Sequence, residues 1–467
     1  MAKKRVDFVN IHKSTAAVSM VVLALVLAVS LAAVVGMNWK ELVLHADTAV
    51  SPSDPVSLSD VSGEPEPEPL HVTSRATISV TGDVIGHMPM LTAAYNAKTK
   101  TYNFDNIFTY IQRYASDSDY AIANLETTLR GTEGGDKYRG YPCFNTPDAM
   151  ADALKKAQFD MLLTANNHTY DSGLKGVTRT LEVLNDRGFD HIGTVLKASD
   201  KHYLVKEVNG IKIGMTCYTY ETSTASSTKK SLNGIPLSAE AGKLVDSFRY
   251  GKLDAFYGEL EERLAAMKNE GAEVTVLFIH WGTEYQVVQN KYQKQMAQKI
   301  CDLGVDVIVG GHPHVIQPVS LLTSKKDSSH KTLCLYSMGN AVSNQRKERA
   351  TLKTGHTEDG CLFSVTFQKY SDGRVIVADT ALLPTWVNLY TNNKTGKKVY
   401  QIIPLDKSVT DWKKAFGLSA SAAYQAEKSY NRTVKITGEG MAQAQEYYRA
   451  AAKAILSDSD LSIGQAA

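Results

Sequence analysis

Residues 305–315 read VDVIVGGHPHV, and the order of residue types in them decides how the rest of the chain is to be read. Val305, Val307, Ile308 and Val309 form a short apolar run of the kind found in a strand buried on both faces. Gly310 and Gly311 follow and permit close backbone approach. His312 and His314 then flank Pro313, and in extended backbone their side chains share a face. A loop needs neither imidazole for its own sake. The pair therefore reads as ligands for a metal ion or a phosphate, with purely structural histidines as the bland alternative.

Working outward, other short apolar runs end in polar or glycine residues: ATISVTGD from Ala76, YAIANLE from Tyr120, FDMLLTANNH from Phe159, EVTVLFIHWG from Glu273 and TLCLYSMGN from Thr332. Each reads as a buried strand. Helical spacing separates them at AMADALKKAQ, GLKGVTRTLEVLNDRG and DAFYGELEERLAAMKNEG, where Gly188 and Gly271 are the expected helix stops. Asn209-Gly210 between two strand-like runs signals a hairpin. The pattern predicts an α/β domain with a layered, mixed β-sheet. Ligand sites in open α/β sheets lie at the carboxyl ends of strands. Those ends here carry Asp83, Glu126, Asn167 with His168, His280, and the pair His312 and His314, all along what would be one edge of one sheet.

Each residue also has a plain structural reading. Asp83 can cap a following helix. Asn166 and Asn167 can be turn residues, and a lone His168 is more often a hydrogen-bonded core histidine. Glu126 resists such a reading, because a carboxylate after an apolar strand is costly to bury without a cation. Carboxylate, amide and imidazole ligands together suit one or two divalent ions of Mn, Fe or Zn. Two such ions about 3.5–4 Å apart can clamp a phosphoryl group and activate a water.

The flanks set the topology. KKRVDFVNIHK is basic, and residues 14–39 then carry no charge over a span long enough for a bilayer core. This predicts a cytoplasmic segment at 1–13, a single transmembrane signal anchor at 14–39 and an extracytoplasmic bulk, by the positive-inside rule; a cleaved signal peptide is the alternative. Residues 40–74, with GEPEPEP, read as a disordered, stiffened linker. The folded domain is expected at 75–385 and a partly helical C-terminal extension at 386–467. Lys+Arg 51 against Asp+Glu 49 argues against nucleic acid as a partner. Five cysteines without a CxxC pair read as buried free thiols.

TGDVIGH, ANLETTL, TANNHTYDSG, IHWGTEY, DLGVDVIVGGHPHVIQPV and LYSMGN, in that order, resemble the CapA (poly-γ-glutamate capsule synthesis) family, which is similar in fold to calcineurin-like metallophosphoesterases. The likeness covers roughly residues 76–340. It implies that Asp83 binds one metal, that Glu126 takes the bridging position, and that Asn167 and His280 bind a second metal. His312 and His314 would complete the pair, and His168 would act as general acid. The sequence departs from the phosphoesterase Asp-x-His pattern with Ile85, and His87 is a possible substitute. Glu126 stands where the pattern has a shorter Asp. The resemblance implies a membrane-anchored extracytoplasmic protein supporting biosynthesis, export or anchoring of poly-γ-glutamate or a similar polyanion, with capsule-synthesis membrane proteins as partners. The alternative it leaves open is a metal-dependent phosphoesterase acting on a cell-envelope phosphate ester. A third reading is an exported binding module with a structural metal, in which Asn340 is only a turn residue.

Overall fold

The computed structural model describes residues 69–222, 229–348 and 353–464. The predicted anchor at 14–39 and most of the linker lie outside them. Among the described residues no helix is long and apolar enough to cross a membrane. The first strand already begins at Val72, so pairing starts inside the span predicted as linker.

In chain order the strands of the two main sheets are β1 (Val72–Val84), β2 (Tyr120–Leu125), β3 (Met161–Leu163), β4 (Asp190–Ile192), β5 (Leu204–Val208), β6 (Ile211–Tyr220), β7 (Ser247–Phe248), β8 (Val274–His280), β9 (Val307–Gly311), β10 (Val319–Thr323), β11 (Lys331–Leu335), β12 (Asn340–Val342), β13 (Asp359–Tyr370), β14 (Val375–Thr391) and β15 (Lys398–Pro404). The first sheet has the order β15-β14-β13-β1-β2-β3-β4, with β12 beside the end of β1. The second has the order β7-β6-β8-β9-β11-β10, with β5 added to β6. Both are mixed: β1 through β4 run parallel and β13 through β15 antiparallel, while β6, β8, β9 and β11 run parallel and β10 antiparallel. The single sheet expected from the sequence is thus two. Local periodicity identifies a strand but does not say which sheet it joins.

The sheets stack face to face. Ile78, Val80, Ile122 and Leu163 of the first meet Ile213, Met215, Val276, Phe278, Val307 and Val309 of the second in one buried cluster. The outer face of the first sheet packs on helices α1 (Ala149–Lys156) and α2 (Gly173–Asp186) through Ala123, Leu125, Met150, Leu154, Leu181 and Leu184. Helices α3 (Leu253–Asn269) and α4 (Lys291–Cys301) cover the second sheet, where Leu277, Ile279 and Ile308 meet Leu260, Met296 and Ile300. Covering both faces of a sheet is what allows its parallel strands to be apolar throughout. Four layers, helix–sheet–sheet–helix, result.

Gly188 and Gly271 follow α2 and α3 with φ of 65° and 89°, as the helix stops required. Asn209 and Gly210 join β5 to β6 with φ of 49° and 77°, the geometry of a two-residue hairpin. The five cysteines are free, four of them buried. β14 and β15 continue the first sheet through the predicted boundary at 385/386. Beyond them the long helix α5 (Ala420–Gly464) contributes Met441, Ala444 and Tyr448 to the core between the sheets.

Candidate metal centre

Strand ends from both sheets meet at one edge of the sandwich. β1 brings Asp83, and Glu126 follows β2; from the other sheet β8 ends on His280, and β9 leads into His312 and His314. The two glycines of β9 are needed here. A Cβ on Gly310 would lie 2.0 Å from Tyr336 O, and one on Gly311 would lie 3.3 Å from both Asp83 Oδ1 and His280 Nδ1. A side chain at Gly310 would collide with the end of the neighbouring strand β11 in the same sheet, and one at Gly311 would intrude on the cluster.

His312 and His314 are not in extended backbone. Their φ values are 94° and 58°, so a left-handed turn around Pro313, rather than strand alternation, aims both rings inward. Such torsions are uncommon outside glycine and are retained where surrounding structure over-determines them.

Glu126 occupies the middle. It is fully buried, neither carboxylate oxygen has a hydrogen-bond partner, and Oε1 lies 3.6 Å from His280 Nε2 and 4.0 Å from both His168 Nε2 and His314 Nε2. Burial, reinforced by the neighbouring Asp83, raises its pKa well above the ordinary carboxylate value. Asp83 does not cap a helix. Burial alone would raise its pKa, but the bond from His314 Nδ1 to Oδ2 (3.1 Å), with the imidazoles around it, holds it below the usual range. Asn124 Nδ2 donates to its other oxygen at 2.7 Å. His314 is correspondingly raised by Asp83 against its own burial. Burial takes the pKa of His280 down to about 3 and that of His312 well below its normal value. His312 Nδ1 is another buried atom without a partner.

Asn167 and His280 meet as Oδ1 and Nε2 at 2.8 Å. His168 turns its Nδ1 to Asp171 Oδ2 at 2.7 Å, and since a carboxylate oxygen only accepts, that nitrogen carries the proton. Its Nε2 faces Glu126. Asp171 Oδ2 also accepts from Phe144 N (2.6 Å), and Asp171 Oδ1 from Asn233 Nδ2 (2.9 Å). His87 is partly buried beside the cluster, where its Nδ1 accepts from Asn344 N (3.2 Å), and it belongs to neither ligand group described next.

Among the described residues two groups can hold a metal ion, each with ligand atoms within 4.8 Å of one another: Asp83, Glu126 and His280, and Glu284, His312 and His314. The unpartnered oxygens of Glu126 and the bare nitrogen of His312 fit such an ion, which would take up charge and lone pairs that nothing else satisfies. Beside them opens a cavity of about 370 Å³ lined by Ile85, Tyr141, His168, Glu284, Tyr285 and His314, among others. All six predicted ligands and His168 therefore converge. Sequence reasoning missed Glu284 and Asp171, and weighed Asn340 only as a turn residue. Each lay inside a quoted motif, and Asp171 and Glu284 follow a candidate histidine by only three or four residues. Asn340 is no mere turn residue: it starts β12, fully buried, and its Oδ1 lies 3.1 Å from His314 Nδ1.

Against known proteins, the family described as "Bacterial capsule synthesis protein PGA_cap" matches residues 77–345, more than half of the chain. The chain is 27% identical over 278 residues to "PGA biosynthesis protein CapA" of Bacillus subtilis, a match spanning 59% of this chain and 65% of that protein. To "Capsule biosynthesis protein CapA" of Bacillus anthracis it is 26% identical over 294 residues, 61% of this chain and 64% of the relative. The matched part is thus a little under two thirds of each relative. Among solved structures the likeness is loose: a Thermus thermophilus sulfate thiohydrolase SoxB, 12% identical, aligns with a TM-score of 0.36 over 77% of this chain and 60% of its own.

Proposed function

This chain belongs to the bacterial capsule synthesis protein family PGA_cap, and from that premise we propose that it supports the biosynthesis, export or anchoring of an anionic capsule polymer, poly-γ-glutamate or one like it, on the outer side of the membrane. In this reading residues 14–39 anchor the chain, membrane proteins of capsule synthesis are its partners, and one or two divalent ions of Mn, Fe or Zn are held by Asp83, Glu126, Asn167, His280, His312 and His314. The observation that carries the metal-dependent part is Glu126, a fully buried carboxylate with both oxygens unpartnered and three imidazoles around it. An unpaired buried charge costs several kcal/mol, which a bound cation offsets.

A second reading is favoured by one specific feature. The His168–Asp171 pair fixes a proton at His168 Nδ1 and leaves Nε2 facing both the cluster and the cavity. Nε2 is thereby free to take up a second proton, and the imidazolium so formed would pass that proton to a leaving oxygen and return to the neutral ring held by Asp171, as a phosphoesterase acting on an envelope phosphate ester requires. A bound divalent ion would supply Lewis-acid polarisation and a more acidic water. Asp171 would hold the imidazole in one tautomer, and the aromatic walls at Tyr285 and Phe144 would limit water.

Metal content of the purified chain, compared with a Glu126→Gln, His312→Ala double variant, tests the common part of both readings. Near-stoichiometric metal in the wild type, lost in the variant, supports it; no metal after Mn and Zn supplementation sinks it. Producing the same variant in a capsule-forming host in place of the wild-type chain tests the capsule role, and undiminished surface polymer would count against it.

A further inference from the structure

The six residues weighed from sequence leave one ligand-bearing side chain at the cluster without a task. Glu284 stands on the loop that leaves β8, with Oε1 3.9 Å from His314 Nε2. That loop is tied to the one carrying the histidine pair. Trp281 N donates to Gly311 O (3.1 Å), and Tyr285 N donates to Pro313 O (2.8 Å). Gly282 N donates to the Tyr250 hydroxyl (2.9 Å). Farther along, Gln317 Nε2 donates to Gln286 O (2.7 Å), and Gln293 Nε2 donates to Gln317 Oε1 (2.8 Å). Gly282 and Tyr285 adopt positive φ, 93° and 66°, to bring Glu284 round between them. An exposed loop with no role beyond connection would not need this bracing.

The two ligand groups differ in exposure. Asp83, Glu126 and His280 are wholly buried, whereas the side chain of Glu284 is 46% exposed and lines the cavity. Its partners His312 and His314 are buried, and His312 Nδ1 has no hydrogen-bond partner. Two imidazoles and one carboxylate make a donor set suited to Mn, Fe or Zn.

We propose that Glu284 is a metal ligand, completing with His312 and His314 an outer cation position beside an inner one formed by Asp83, Glu126 and His280. The inference rests on the reading that this cluster holds divalent ions. The inner position is enclosed and fills first. The outer one has a ligand in contact with solvent, fills more weakly, and gives the cavity its access to a cation. Such an open position is what distinguishes a site that meets substrate from one that only holds structure.

The test is a stepwise Mn²⁺ titration of the metal-stripped full chain, followed by calorimetry and by electron paramagnetic resonance. The wild type is expected to take up two equivalents in two resolved steps. Glu284→Gln should keep the first step and weaken the second at least tenfold, while the melting temperature of the metal-free variant stays unchanged. Glu284→His, which replaces one ligand type by another and cannot act as a counter-charge to His314, should restore the second step. Wild-type binding by Glu284→Gln, or failure of Glu284→His to restore what Glu284→Gln loses, overturns the assignment and leaves the metal reading standing. Loss of both steps in Glu284→Gln overturns the division into inner and outer positions. No uptake by the wild type overturns this inference together with the reading beneath it.

Discussion

Glu126 and the side chains it faces have consequences that can be measured without any substrate. Its folded pKa lies above the value of 4.5 expected in the unfolded chain. The stability linked to it is therefore fully present below about pH 4.5 and is lost as pH rises through the raised value. Metal-free Glu126→Gln should lack that loss, so melting curves of the two proteins should diverge from acid towards neutral pH, with the variant the more stable. Metal must displace the proton from Glu126, so apparent affinity should rise with pH and binding should release protons, measurable by calorimetry in buffers of different ionisation enthalpy. An affinity independent of pH would remove Glu126 from the ligand set. Asn233 supports the cluster from further out: its side chain donates to Asp171 Oδ1 and to Pro142 O (2.8 Å). Asn233→Ala should destabilise the fold by about 1–3 kcal/mol, the cost of leaving a buried acceptor unsatisfied, and thermal or urea unfolding would read it. Residues at strand ends could be found from sequence because an apolar run followed by a charged or imidazole group is itself unusual. Glu284 and Asp171 are harder to read, because the place of Glu284 depends on the loop torsions at Gly282 and Tyr285, and that of Asp171 on a turn back to His168 O, which no periodicity encodes.

Among the elements, α5 falls within the partly helical C-terminal extension expected at 386–467, and it lies directly on β10 and β14. At Gly440 the contact is backbone to backbone: a Cβ there would lie 1.9 Å from Val319 O. Gly440→Ala should therefore displace the helix and cost about 1–3 kcal/mol, although in an exposed helix the same change stabilises by removing glycine's excess freedom. A raised melting temperature would show that the close approach does not exist. Arg432 of the same helix makes two bonds, of 2.7 and 2.6 Å, to the buried carboxylate of Asp359 on β13. Even so, burial outweighs the guanidinium and leaves Asp359 raised to about 6. Removing the arginine strands that carboxylate, and Arg432→Ala should lose about 3–5 kcal/mol. Strands and helices were legible because each carries its own period. The pairing of two strand sets into two stacked sheets was not, since every strand reads as buried on both faces whichever sheet it enters.

For the whole molecule, the sandwich explains why a cluster of ionisable groups can be so dry. Both sheets must stay stacked for β1 and β2 to face β8 and β9 across the edge, and α5 places Met441, Ala444 and Tyr448 in the core between them. Ending the chain before Ala420 should abolish a single cooperative melting transition rather than trim an appendage; an intact transition in the shortened chain would make the helix dispensable. β1 carries a further consequence. It enters at Val72 and delivers Asp83 eleven residues later, so at about 3.3 Å per residue the cluster stands about 35 Å from the point of entry. One strand thus serves as a rigid boom. A pull or constraint applied at Val72 is thereby carried along one sheet-bound strand to the edge where the cluster lies, a strand's length away.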